Sequence, residues 1–61
     1  MKWEVYKDRA GEYRWRLVAA NGEIVAASEG YKNKKDAIET INIIKEFASK
    51  ATINEVGGYT E

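Results

Sequence analysis

The stretch Glu12-Tyr13-Arg14-Trp15-Arg16-Leu17-Val18-Ala19-Ala20-Asn21-Gly22-Glu23-Ile24-Val25-Ala26-Ala27-Ser28 decides the fold. Two β-rich runs flank Asn21-Gly22. Asn-Gly between such runs is the strongest short-range hairpin signal, because a type I′ turn needs positive φ at both central residues. With those two residues as the loop, Ala20 faces Glu23, Ala19 faces Ile24 and Val18 faces Val25. Leu17 then faces Ala26, Arg16 faces Ala27 and Trp15 faces Ser28. Side chains alternate across a strand, so Tyr13, Trp15, Leu17, Ala19, Ile24 and Ala26 share one face. Glu12, Arg14, Arg16, Val18, Val25 and Ala27 share the other. The first set is the core face.

Working upstream, Asp8-Arg9-Ala10-Gly11-Glu12 reads as a three-residue hairpin loop, a type I turn followed by Gly11 in the left-handed region. That loop pairs Asp8 with Glu12, Lys7 with Tyr13, Tyr6 with Arg14, Val5 with Trp15, Glu4 with Arg16 and Trp3 with Leu17. A four-residue loop would set Glu4 opposite Trp15 on the core face, whereas the three-residue loop sets Trp3 and Val5 there. Register follows burial, so the Gly11 loop is preferred. The prediction is a three-stranded antiparallel meander over about 2–8, 12–20 and 23–28.

Downstream of Glu29-Gly30-Tyr31-Lys32 the period changes. Asn33 suits an N-cap, and Asp36 falls in the first turn, where a carboxylate meets the positive helix end. Ala37, Ile41, Ile44 and Ala48 recur at steps of four, three and four, one face of a helix over about 34–50. Ile38 flanks that stripe on one side, and Ile43 and Phe47 on the other. This apolar arc is wider than one small sheet needs. Ala51-Thr52-Ile53-Asn54-Glu55-Val56 is β-branched and stops at Gly57-Gly58, which predicts a short fourth strand over about 51–56. Its backbone groups need a neighbour, in its own sheet or in another subunit's. The fold class is therefore α+β, in the order β-β-β-α-β, as a single domain over 1–61.

Composition bounds the chemistry. The 61 residues include one Leu and one Phe, beside six Ile, four Val and eight Ala. A chain near this length buries only about 60% of its unfolded surface, so its core is marginal. Small scaffolds add disulfides, a metal or a partner chain. No Cys means no disulfides and no thiolate zinc, iron–sulfur or redox chemistry. No His excludes imidazole catalysis and ligation. No cofactor is expected, and oligomerisation is the staple that remains. Ten basic against ten acidic side chains give zero net charge, so no global field draws nucleic acid or acidic membrane. No apolar run nears the roughly 18 residues of a membrane span, and Met1-Lys2-Trp3-Glu4 does not open a signal peptide. The expectation is a cytoplasmic protein.

Tyr6-Lys7-Asp8, Ala10-Gly11-Glu12-Tyr13-Arg14-Trp15-Arg16-Leu17, Ala20-Asn21-Gly22-Glu23-Ile24 and Ser28-Glu29-Gly30-Tyr31 together resemble the YegP-like family, small prokaryotic proteins of unknown function. The resemblance runs over about residues 3–50 almost without gaps. It departs at Asn33-Lys34, where the family commonly has Ser-Lys, and at Ile43 and Phe47, where polar residues are commoner. The resemblance implies a β-β-β-α-β unit that occurs as a tandem repeat or a homodimer. Two units would share one sheet and exchange their C-terminal strands; independently of the resemblance, this chain's wide helix flank and β-branched tail put Ile43, Phe47, Ile53 and Val56 at the dimer contact. The resemblance implies no activity.

The outward sheet face, with Lys2, Glu4, Tyr6, Arg14, Arg16 and Val18, is the place to look for a ligand. Arginines alternating with aromatics on an open sheet can hold single-stranded nucleic acid by phosphate contact and stacking. The competing explanation is cross-strand pairing, Glu4 with Arg16 and Tyr6 with Arg14, and it is preferred. Lys32, Lys34 and Lys35 crowd the helix start, where free amides can attract an anion, though a solvated charge run is the simpler account. For catalysis, Ser28 and Ser49 have no His to activate them. Asp8 and Glu12 face each other beside an exposed turn, and with Glu29 they lack metal-loop spacing. Arm-type DNA-binding domains of phage integrases also pack a three-stranded sheet on a C-terminal helix. Arg14-Trp15-Arg16 and Gly30-Tyr31-Lys32-Asn33-Lys34-Lys35 are loosely similar to them, but those domains are strongly basic. The sequence thus predicts a non-catalytic homodimeric interaction module, with a nucleic-acid-binding module through Arg14, Arg16 and Tyr6 as the alternative.

Overall fold

The structure, a computed structural model, describes residues 1–58; residues 59–61 of the predicted domain lie outside the described residues. Three antiparallel strands, β1 (Lys2–Lys7), β2 (Tyr13–Val18) and β3 (Ile24–Ala27), form one sheet in the order β1-β2-β3. The helix α1 (Lys34–Phe47) follows and tightens into a 3-10 turn over Ala48–Lys50. The α+β meander-plus-helix read from the sequence is present, with each strand one to three residues shorter than the predicted 2–8, 12–20 and 23–28.

The first hairpin has the expected register. Trp3 faces Leu17, Glu4 faces Arg16, Val5 faces Trp15, Tyr6 faces Arg14 and Lys7 faces Tyr13. The turn closes through the Asp8 N–H to Glu12 O (2.8 Å) and the Gly11 N–H to Asp8 O (3.0 Å), with Gly11 at φ 84°. A side chain at Gly11 would have to adopt that left-handed backbone, which L-residues avoid.

The second hairpin differs from the type I′ expectation. Among the described residues only glycines have positive φ, so Asn21 stays in the ordinary region and Gly22, at φ 89°, alone takes the left-handed one. The loop is three residues long, closed by the Ala19 N–H to Glu23 O (2.8 Å) and the Gly22 N–H to Ala19 O (2.9 Å). The Asn21 side chain stabilises it by accepting the Glu23 N–H at 3.1 Å. The extra loop residue shifts Ile24 from Ala19 to Val18. A bulge then restores the expected pairs Leu17–Ala26 and Arg16–Ala27. Residues paired across strands share a face, so Ile24 joins Val18 on the open face and leaves the core face assigned to it from alternation.

Trp15, Ala37 and Ile41 form the buried cluster under the helix, and Trp3, Val5, Tyr13, Tyr31 and Ile44 pack around it. Trp3 meets Trp15 edge-to-face at 5.2 Å between ring centroids. Val18 is also buried, outside that cluster, between its strand partners Lys2 and Ile24. Helix α1 touches β2 and β1 but not β3. All four β3 residues are consequently exposed, Ala26 among them, although alternation had placed it in the core.

Beyond β3 the chain rejoins β2 once, where Tyr13 and Tyr31 exchange two backbone bonds of 2.7 Å. Gly30 lies so close to Glu12 that a Cβ there would run into the Glu12 side chain. Asn33 occupies the N-cap position, but its side chain does not cap the helix. Its amide donates to the Asp36 carboxylate at 3.3 Å instead, an acceptor the capping argument left out. Residues 51–56, expected as a fourth strand, are exposed and pair with no strand among the described residues.

Candidate functional site

The open sheet face carries the densest polar constellation. Glu4 and Arg16 face each other across β1 and β2, and the Arg16 Nε donates to Glu4 Oε1 at 2.7 Å. Lys2 Nζ adds a second cation 3.4 Å from Glu4 Oε2. The Arg16 guanidinium also lies over the Tyr6 ring, 4.7 Å from its centroid. A cation over an aromatic face is favoured by the ring quadrupole, so Tyr6 and Glu4 hold Arg16 from two directions.

Arg14 is held differently from the expected Tyr6 contact. Its Cα faces Tyr6, but its Nε donates to Asp8 Oδ2 at 2.6 Å and its Nη1 to the Ser28 carbonyl at 3.2 Å. Asp8 in turn accepts the Glu12 N–H on Oδ1 at 2.9 Å. A diagonal neighbour is within reach of a long side chain, and a full charge outbids a ring. Arg14 thereby ties the first turn to the end of β3 through one side chain.

The electrostatics follow from these pairs. The Arg16 hydrogen bond, with help from Lys2, holds the Glu4 carboxyl below its ordinary value of 4.5. The Arg14 hydrogen bond and the Glu12 amide hold Asp8 below its ordinary value of 3.8. The same bonds raise the Arg14 and Arg16 guanidiniums above their ordinary value. Both carboxylates are therefore anions at neutral pH, the opposite of what a general acid requires.

Ser28 has a role the sequence reading missed. Its N–H donates to the Trp15 carbonyl at 3.0 Å, while its Oγ accepts the Trp15 N–H at 2.9 Å and donates to the Glu29 carbonyl at 2.7 Å. The hydroxyl thus takes the place of a ladder carbonyl and frees the Ser28 C=O for Arg14. A serine at the end of a strand, where side chains compete with the backbone, was the available signal.

The remaining candidates stand apart from this face. Lys34 and Lys35 open α1 and border a shallow depression with Ile38, Glu39 and Asn42. Ile43, Phe47, Ile53 and Val56 are all exposed, Ile53 to 97%. The sheet face thus gathers Tyr6, Arg14 and Arg16, and the lysines lie on another element. No group of three metal-ligating side chains occurs among the described residues. No helix among them is long and apolar enough to cross a membrane.

Comparison with known proteins places this chain in a family. The profile of the domain of unknown function DUF1508 matches residues 8–55. A UPF0339 protein of Neisseria meningitidis is 45% identical over 56 residues, 92% of this chain and 100% of that protein. A UPF0339 protein of Agrobacterium fabrum is 57% identical over 44 residues, covering 72% of this chain and 71% of its own length. The solution structure of a protein from Haloferax volcanii superposes with a TM-score of 0.82 at 43% identity, over 90% of this chain and 93% of that one. The solution structure of an Agrobacterium tumefaciens protein gives 0.75 at 48% identity, over 88% and 87%. The meander, its helix and these matches agree with the YegP-like resemblance, and the chain belongs to the DUF1508 (UPF0339) family, whose function is not established.

Proposed function

We propose that the protein is a homodimeric interaction module, assembled by exchange of residues 51–56, with no catalytic role of its own. The observation that carries this reading is the apolar surface outside the small core. Ile43 and Phe47 are 52% and 54% exposed, and Ile53 and Val56 are 97% and 73% exposed. Apolar area of this kind marks an interaction surface. A compact chain of this length has a radius of gyration of about 10.5 Å. The observed value is 13.7 Å, and residues 51–58 are exposed throughout. A second copy supplies both the cover and a partner for the tail's backbone groups.

Sedimentation equilibrium tests the reading directly. The full chain should be a dimer at micromolar concentration, and Ile53→Asp should weaken it, because a carboxylate in the contact would lose its water. A folded monomer at that concentration refutes the proposal. Nucleic-acid binding through Arg14, Arg16 and Tyr6 draws less support, since both guanidiniums already have carboxylate partners.

A further inference from the structure

We infer that Asn21 is a site of self-modification, where the chain converts an asparagine to aspartate or isoaspartate, and that the closed second turn restrains the reaction.

The chemistry needs two neighbouring groups and water. The Gly22 nitrogen attacks Asn21 Cγ and the Cγ–Nδ2 bond breaks. Ammonia leaves, carrying the proton that the Gly22 nitrogen gives up, and a five-membered imide remains. Water then opens the ring at one of its two carbonyls. Attack at Cγ leaves an ordinary aspartate. Attack at the Asn21 main-chain carbon leaves isoaspartate, with the backbone routed through Cγ. Nothing is oxidised or reduced.

The sequence contains four asparagines, and one of them is suited to this step. The attacking nitrogen belongs to the next residue, whose side chain crowds its approach. Lys34, Ile43 and Glu55 follow Asn33, Asn42 and Asn54, whereas Gly22 has no side chain. The space where its Cβ would sit is open. Asn42 is fixed within α1, and the Asn33 amide is engaged by the Asp36 carboxylate. Asn21 and Gly22 are both exposed, so water reaches the imide.

The turn occupies both reacting groups. The Gly22 N–H donates to Ala19 O at 2.9 Å, and Asn21 Oδ1 accepts the Glu23 N–H at 3.1 Å. The nitrogen cannot attack while its hydrogen serves Ala19 and the side-chain carbonyl is held on Glu23. Reaction therefore waits for the loop to open, a local fluctuation that exposed loops undergo more readily than the core.

The two products have different consequences. Aspartate keeps an oxygen in the place of Oδ1 and accepts the Glu23 N–H as Asn21 does. Isoaspartate adds a carbon to the main chain inside a three-residue loop closed by the 2.8 Å bond from the Ala19 N–H to Glu23 O. That loop then loses its fit, and with it the closure of β2 against β3 beside the bulge at Leu17/Val18.

Peptide mapping by mass spectrometry tests the inference on the full chain, held in mildly alkaline buffer with and without guanidinium chloride. Asn21 should convert ahead of Asn33, Asn42 and Asn54 in the unfolded chain. In the folded protein it should convert about tenfold or more slowly, because two hydrogen bonds must break first. If another asparagine leads in the unfolded chain, or none converts, the site is wrongly assigned. Equal rates with and without denaturant, or a faster folded rate, overturn the restraint by the turn. Amide exchange on the separated products reads the consequence. The Ala19 and Gly22 amides should exchange faster in the isoaspartyl form than in Asn21→Asp, and equal protection in both overturns the claim that isoaspartate opens the hairpin.

Discussion

Replacement of Trp15 measures how much of the fold rests on one side chain. Trp15 is 6% exposed and packs with Trp3, Val5, Tyr13, Tyr31, Ala37, Ile41 and Ile44. Truncating a buried Trp to Ala costs about 3–5 kcal/mol through lost transfer energy and the cavity left behind. One term acts the other way. The Trp15 Nε1 is buried without a hydrogen-bond partner, and such a donor carries a penalty of about 1–3 kcal/mol that truncation relieves. The midpoints leave a net loss of about 2 kcal/mol, against a total of roughly 3–9 kcal/mol for a chain of this length. Trp15→Ala should therefore be clearly less stable than the parent. Trp15→Phe keeps a ring against Ile41 and removes the unpaired N–H, so it should stay within about 1 kcal/mol of the parent. Urea unfolding at one fixed protein concentration, followed by far-ultraviolet circular dichroism, reads both variants without relying on Trp emission. An unchanged midpoint for Trp15→Ala would show that the sheet faces are assigned backwards. A loss for Trp15→Phe equal to that for Trp15→Ala would show that Nε1 is bonded after all.

Acid should weaken the fold through Glu4 and Asp8, whose folded values lie below 4.5 and 3.8. A lowered carboxylate contributes stability that is present above its ordinary value and lost as pH falls through its folded value. The melting temperature should thus decline below those ordinary values, and decline less in Glu4→Gln/Asp8→Asn; equal declines would show that neither pair contributes. Gly30→Ala should cost about 1 kcal/mol by overpacking against Glu12, with part of the loss restored in a Glu12→Ala background. A neutral Gly30→Ala would show that Glu12 simply swings aside. The parent chain should give no gel shift with single-stranded DNA or RNA at low salt. A shift that Arg14→Ala/Arg16→Ala abolishes would establish the open face as a nucleic-acid surface.

The parts of this fold that were legible in the sequence are those set by local periodicity. Trp15, Ala37, Ile41 and Ile44 follow from alternation in one segment and a four-three spacing in another, and they are the residues that meet. The Gly11 turn was legible because only one register kept Glu4 out of the core. The Asn21 turn was misread because two loop geometries compete there. A side-chain bond from Asn21 to Glu23 stabilises the three-residue loop without forcing Asn21 into the left-handed region. That one residue, and the bulge that absorbs it, moved Ile24 to the open face. The exposure of Ala26 has another cause, since a single 14-residue helix set over β1 and β2 is too narrow to cover a third strand. Arg16 was read correctly from register alone. Arg14 was not, because its partner Asp8 belongs to a turn and lies outside the strand pairing.

The two three-residue loops also bear on how the chain reaches its fold. Each strand of the meander pairs with its neighbour in sequence, so little loop-closure entropy opposes the sheet, and topologies of that kind fold quickly. Hairpins form in about 1–10 μs. The chain has neither Pro nor Cys, which removes prolyl isomerisation in proline peptides and disulfide reshuffling as sources of delay. Any slow phase in refolding would then have to be second order, quickening as protein concentration rises. Its half-time would measure the meeting of two chains and not the folding of one.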